Sequence, residues 1–320
     1  MEALWWGDEE GSFFDFNSMS KNRHIKYPML PDRYASLLGN DKRVKMPQKQ
    51  RGEIRLLSAD IALMSSKKNK NDATAIILNQ LMPTKAGRLM SNITYTETNE
   101  GLRTDDQALV IRKLFDEYEC DYLVLDTAGV GLGCYDCLTK DIVDIDTGEV
   151  YPAISCCNNA EMAARCTVPG AEKVIWAIKA NAQFDSDCAF LLREGFRSGR
   201  IRLLCNEYDA EGYLDDIKGY GSLSPALKLK IQMPYIDTTL LVNEVTKLQY
   251  EETGGKVKIY EKPGMRKDRY SSLAYNYYVA LQLENKETKR RNYSGEHDDM
   301  FLIRAPGKKT KGVNMQIGRR

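Results

Sequence analysis

Histidine is almost missing from this chain: there are two in 320 residues, His24 and His297. Both lie in stretches without clear periodicity. A hydrolase built on a Ser-His-Asp or Cys-His arrangement therefore has little to draw on. No Gly-x-x-x-x-Gly-Lys-Ser/Thr phosphate loop occurs. The nearest strings, Gly254-Gly255-Lys256 and Gly307-Lys308-Lys309-Thr310, lack the spacing and the preceding strand. No apolar run approaches the roughly 18 residues of a membrane helix. The acidic start, MEALWWGDEEGSFF, lacks the positive region of a secretion signal. A surplus of charge is missing too: 46 Lys and Arg stand against 45 Asp and Glu, a net +1. That sum speaks against a uniformly basic nucleic-acid binder.

What is present supports a folded core. Apolar residues make 42% of the chain and aromatics 9%, enough for one large core or two ordinary ones and too many for a disordered chain. The charge balance is a local cancellation. Residues 286–320 carry ten Lys and Arg against four acids, a tail of +6, so residues 1–285 sum to −5. A second basic stretch, residues 41–70, has nine Lys and Arg against Asp41, Glu53 and Asp60. Such runs suit a polyanion or a solvated surface. Eight cysteines without a secretion signal read as reduced thiols. Cys134-x-x-Cys137 with Cys156-Cys157 could supply four zinc ligands. Adjacent cysteines are poor tetrahedral partners, however, and several of the eight read as small apolar core residues.

Residues 1–53 read as irregular, a connector whose aromatics (Trp5, Trp6, Phe13, Phe14, Phe16) pack on something else. From residue 54 the pattern is regular. Residues 54–64, 73–82 and 88–98 read as three strands joined by short links, an antiparallel meander. Thr104-Asp-Asp-Gln107 matches a capping box at the start of a helix running to about residue 119. DYLVLD, residues 121–126, is a short apolar strand of the type buried on both faces in parallel pairing. Later helices are expected over 131–140, 182–198 (capped by Asp185 or Ser186), 234–251 and 269–285. Short strands are expected at 200–205 and 256–260, with a strand–turn element around 142–152. Three antiparallel strands, a helix and a parallel strand give one mixed sheet of five or more strands with helices on both faces. That is the element order of the ribonuclease H-like fold.

Three acids stand out on this scaffold. Asp60 sits inside an apolar strand, LLSADIAL, where a charge is costly unless paired or bound to a metal. Asp126 ends the next parallel strand, in LVLDTAGVG. Asp268 opens the last helix, in KDRYSSLAYNYYVAL. Singly, Asp126 and Asp268 could be cap residues. Together, from neighbouring strands and a helix beside them, they could form one cluster. Three close carboxylates need a counter-charge, and hard divalent cations supply it. Two such ions can drive in-line phosphodiester displacement without His or Cys. The Gly129-Val-Gly131-Leu-Gly133 run has Cys134 where a dinucleotide fingerprint needs its third glycine. It reads instead as a backbone turn close beside Asp126.

The strings LLSADIAL, YLVLDTAGVGLGCYDCL and KDRYSSLAYNYYVAL resemble the three acidic motifs of the nuclease domain of tailed-bacteriophage terminase large subunits. Residues 181–203, with LLREGFRSGRIRL, and 238–249 are similar too, so the resemblance spans about residues 51–285. It implies a ribonuclease H-like endonuclease that cuts concatemeric double-stranded viral DNA during genome packaging. Asp60, Asp126 and Asp268 would ligate Mg2+ or Mn2+, two ions in all. Asp72 falls where the family often carries an acid, as a supporting group or a turn residue. Gly264 and Met265 precede Lys267-Asp268, so no fourth ligand is evident. Lys67, Lys68, Lys70, Arg266, Lys267 and Arg269 would line a track for the DNA backbone. Implied partners are the phage portal protein, the terminase ATPase domain and the small subunit, with no membrane and with action in the host cytoplasm. On this view residues 1–53 are a linker remnant from a missing ATPase domain, 54–285 the nuclease domain, and 286–320 a basic flexible tail. Two alternatives stay open: a resolvase- or transposase-like nuclease of the same fold, and a non-catalytic module that binds DNA or portal.

Overall fold

The computed structural model describes residues 12–62 and 73–294. In chain order it begins with α1 (Phe16–Ser20), β1 (Arg23–Ile25) and α2 (Asp32–Ala35). The meander follows as β2 (Ile54–Asp60), β3 (Thr74–Pro83) and β4 (Leu89–Asn99). Next come α3 (Thr104–Glu117), β5 (Tyr122–Asp126) and α4 (Val130–Leu138). The middle of the chain holds β6 (Ile142–Val143), β7 (Val150–Tyr151), β8 (Ile154–Cys156), α5 (Ala160–Ala163), β9 (Glu172–Ile178), α6 (Ala182–Arg197) and β10 (Ile201–Leu204). The last part holds α7 (Glu207–Asp215), α8 (Pro225–Lys247), β11 (Gln249–Thr253), β12 (Lys256–Tyr260) and α9 (Asp268–Ser294).

Among the described residues the main sheet has eight strands in the order β1-β10-β4-β3-β2-β5-β9-β8. β2, β3 and β4 pair antiparallel, as short links demand, while β5 lies parallel to β2 and β9 parallel to β5. This mixed α/β sheet has the neighbour relations expected from the sequence. The side-chain alternation of a strand divides it into two faces. Leu57, Ala59, Leu123 and Leu125 pack with α3 and α4 on one face. Leu56, Val124, Trp176 and Ile178 pack with α6, α8 and α9 on the other. Each such fully buried aliphatic side chain contributes about 1.5–3 kcal/mol. On the second face the alternation Leu56, Ser58, Asp60 and Val124, Asp126 carries both acids to the strand ends beneath α9. Cys134 and Cys156 are buried in the α3–α4 layer.

Several expectations need correction. Residues 12–53 are not wholly irregular: β1 extends the main sheet beside β10, and Phe13 and Phe14 are buried against α6 and Tyr270. No capping box forms at α3. Arg103 stands at the cap without a side-chain bond, and Gln107 turns inward, donating to the carbonyls of Ala62 and Leu102 and accepting from Thr74. Helix α6 is capped by Asn181, whose side-chain Oδ1 accepts from the Gln183 and Phe184 amides. Ser186 instead accepts from the Val257 amide. The helix expected over 234–251 starts at Pro225 behind Ser224 and runs through Pro234. Packing of its apolar face outweighs the hydrogen bond that Pro234 forfeits. Residues after Lys247 form a hairpin, β11–β12, turning on Gly254 and Gly255, both at positive φ. Strand β9 lies in a stretch that the sequence pattern left unassigned.

Arg55 is wholly buried on β2. It donates to Glu53 at 2.6 Å and to the carbonyls of Tyr118 and Pro47. Removing one partner of such a pair strands the other charge in the interior, at a cost of about 3–5 kcal/mol. Urea unfolding should therefore show Arg55→Leu losing stability on that scale, with Glu53→Leu in the same chain recovering most of it. Equal losses in the single and double variants would contradict the pairing.

Candidate functional site

The last registered pair between β2 and β5 is Ala59 with Leu125. Asp60 and Asp126 follow at the next rung, on parallel strands that run about 4.8 Å apart. Asp126 also pairs with Ile178 of β9. Its Oδ1 accepts from the Ala128 amide at 2.9 Å, which starts the turn into α4. That turn depends on glycine. Gly129 has φ +53°, and a Cβ on Gly131 would lie 1.8 Å from the Asp126 carbonyl oxygen. The glycine run thus lets the chain double back against Asp126, as its sequence suggested.

Asp268 opens α9, and its Oδ2 accepts from the amide of Ala73, the residue leading into β3. Since Ala75 pairs with Asp60, this bond holds Asp268 at the same end of the sheet. From Asp268 the helix presents residues three, four and seven positions on along one stripe. Ser271 donates to Asp60, Ser272 meets Ser58 at 2.9 Å, and Tyr275 donates to Asp185 at 3.1 Å. Asn276 closes the ladder between Ser58 and Asn79.

Asp185, in the first turn of α6, is the residue that sequence reasoning missed. It served there only as a candidate helix cap. Nothing in its own neighbourhood singles it out, because the Tyr275 hydroxyl that marks it lies 90 positions away.

Crowding shapes the electrostatics. Burial pushes the Asp60 carboxyl well above the usual carboxylate range, and the charges of Asp126 and Asp268 push it further. Burial likewise raises Asp126, partly offset by the Ala128 amide, with Asp185 adding to the rise. Burial raises Asp185 against the Tyr275 hydrogen bond. Lys267 is a favourable charge for all three. The donors are carboxylate oxygens without His or Cys, which suits a hard divalent cation such as Mg2+ or Mn2+. As the side chains stand, no three of His, Cys, Asp or Glu among the described residues are close enough to share one ion.

The expected basic track is altered. Arg269 is buried and ion-paired to Asp237 and Glu244, so it cannot reach a DNA backbone. Arg266 pairs with Glu100 at 2.8 Å, while Lys267 is half exposed and 3.7 Å from Glu261. Asp72, Lys67, Lys68 and Lys70 lie outside the described residues.

No family model matches the chain, and no curated protein does. Among solved structures it is similar to the large terminase nuclease from thermophilic phage G20c with bound magnesium. The identity is 14% and the TM-score 0.43, over 84% of this chain and 98% of that one. The cobalt-bound form of that nuclease gives 13% and 0.41 over the same shares. The nuclease domain of the large terminase subunit gp2 of bacterial virus Sf6 gives 11% and 0.39, over 85% of this chain and 97% of that one.

Two measurements follow from this geometry. Gly131→Ala forces a methyl group into a backbone oxygen, so it should lose several kcal/mol and melt markedly lower by circular dichroism; a melting point within a degree of the parent would refute the close approach. In chelator, Asp60→Asn should melt a few degrees above the parent, because it removes a charge that the fold disfavours. A raised folded value makes the parent lose stability as pH rises above about 4, so the advantage of Asn should grow from there toward neutrality. A parent that is the more stable of the two in chelator at pH 7 would contradict the crowding.

Proposed function

We propose that this chain is a metal-dependent endonuclease of the large-terminase type, cutting concatemeric double-stranded viral DNA during genome packaging. The observation that carries this reading is that Asp60 and Asp126 end adjacent parallel strands while Asp268 opens the helix packed across them, tied by the Ala73 amide to the same end of the sheet. These are the acids of the three strings that resemble the terminase nuclease motifs. A fold that merely decayed from such an enzyme would have little reason to keep Asp60 ionisable at the end of an apolar strand.

Asp60, Asp126 and Asp268 would hold Mg2+ or Mn2+, two ions in the full site. Divalent ions held there would supply an activated water and a counter-charge for the leaving oxygen of a phosphodiester. The chain's own part is to aim the carboxylates. Ser271 orients Asp60, the Ala128 amide orients Asp126, and the Ala73 amide orients Asp268. Tyr275, its hydroxyl held protonated by burial and the nearby acids, keeps Asp185 turned toward the same side. Of the cations flanking Asp268, Lys267 is the one with the exposure to meet a phosphate. Contacts of that kind position DNA without reading its sequence and weaken with salt. Double-stranded DNA, the portal protein, the packaging ATPase domain and the small subunit are the partners of this reading, in the host cytoplasm.

Supercoiled plasmid incubated with the protein and Mn2+ or Mg2+ tests it. The parent should nick and linearise the plasmid, and Asp60→Ala and Asp268→Ala should each cut at least about 100-fold more slowly. A parent that leaves plasmid intact with both metals, or variants that cut as fast as the parent, would overturn the proposal.

A further inference from the structure

Arg269 follows Asp268 directly, yet it points the other way, into the interface between α8, α9 and β4. One end of its guanidinium lies 3.2 Å from Glu244 and the other 3.1 Å from Asp237. Both acids sit on α8, two turns apart, and so share one face of that helix. Glu244 also accepts from the amide of Tyr270 at 2.9 Å, and Asp237 from the hydroxyl of Thr98 on β4 at 2.8 Å. The three charged residues are 7%, 9% and 2% exposed for Arg269, Glu244 and Asp237. The Arg269 Nε has no hydrogen-bond partner among the described residues.

Stability alone does not account for this cluster. Two carboxylates and one guanidinium leave a net buried negative charge, and an unsatisfied buried N–H adds to the cost. Apolar residues of similar volume at such sites are commonly as stable or more so. What an ionic cluster supplies is direction. The rigid guanidinium fork donates only in its plane, and the Tyr270 amide ties the helix backbone itself to Glu244. Together they set the rotation and height of the first turn of α9. Asp268 is on that turn.

We propose that Arg269, Asp237 and Glu244 form a positioning latch that aims Asp268 at Asp60 and Asp126 and thereby sets the metal affinity of the site. The latch rests on the nuclease reading in taking Asp268 as a metal ligand. It acts through Asp268 and touches neither metal nor DNA. Partners that orient a ligating carboxylate in this way typically govern 10–100-fold in metal affinity.

The test is Mn2+ binding by titration calorimetry without DNA, at a temperature where circular dichroism shows each protein folded. The proteins are the parent, Asp268→Ala, Arg269→Lys, Glu244→Gln, and a triple variant carrying Asp237→Leu, Glu244→Leu and Arg269→Met. Arg269→Lys keeps the charge but loses the fork. Glu244→Gln keeps an acceptor for the Tyr270 amide. The triple variant replaces the latch with apolar packing and should melt no lower than the parent. Asp268→Ala, Arg269→Lys and the triple variant should each bind Mn2+ at least about 10-fold more weakly, and Glu244→Gln by a smaller factor. Should Arg269→Lys fail to fold, the triple variant and Glu244→Gln carry the comparison. Folded latch variants that bind Mn2+ like the parent while Asp268→Ala does not would overturn the latch and leave the nuclease reading standing. Parent-like binding by Asp268→Ala, or no binding by the parent, would sink both.

Discussion

Ser58 on β2 and Ser272 on α9 face each other at 2.9 Å in an interior that excludes water. Asn276 reaches the same Ser58 hydroxyl and is itself held by Asn79 of β3. Four small polar side chains thus fasten the last helix across the first two strands of the meander. Unmade, these bonds would leave several buried polar groups unsatisfied, so only one sliding position of the helix is tolerable. That position brings Asp268, Ser271 and Tyr275 over the ends of β2 and β5. Leu273, Ala274 and Val279, fully packed in the core beneath, add apolar weight but would tolerate more than one register.

Charge is arranged around this clamp in two layers. Acids crowd the open end of the sheet, where burial and mutual repulsion disfavour their ionised forms. Cations that neighbour them in sequence are spent on the fold: Arg266 on Glu100, Arg269 on Asp237 and Glu244. A nearly neutral total therefore describes neither the site nor its surroundings.

Much of the architecture was legible because it rests on short-range patterns. The meander reads from its links, β5 from an unbroken apolar run, and the turn beside Asp126 from the spacing of its glycines. Asp60 was conspicuous because a charge stood where periodicity required an apolar residue. Other features had no local signal. EKVIWAI could as readily have been a buried helix turn as β9. Asn181 was passed over for Asp185 because cap preferences do not rank between them. Gln107 looked like the far end of a capping box but is drawn inward by Thr74 and two carbonyls across the fold.

Sequence by itself determined the meander, the parallel strand beside it, the two acids at their ends and the third that opens the last helix. Those follow from alternation, turn chemistry and the cost of an unpaired charge, which act over a few residues. Tertiary structure alone decided that Arg269 is a buried partner of α8 rather than a contact for DNA. It also decided that Asp185 joins the acids through Tyr275, and that residues before the meander add a strand to the sheet. In each case the deciding contact joins positions 25 or more apart in the chain. A cation reads the same in sequence whether it faces solvent or a carboxylate, and only the packing of helix on helix distinguishes the two.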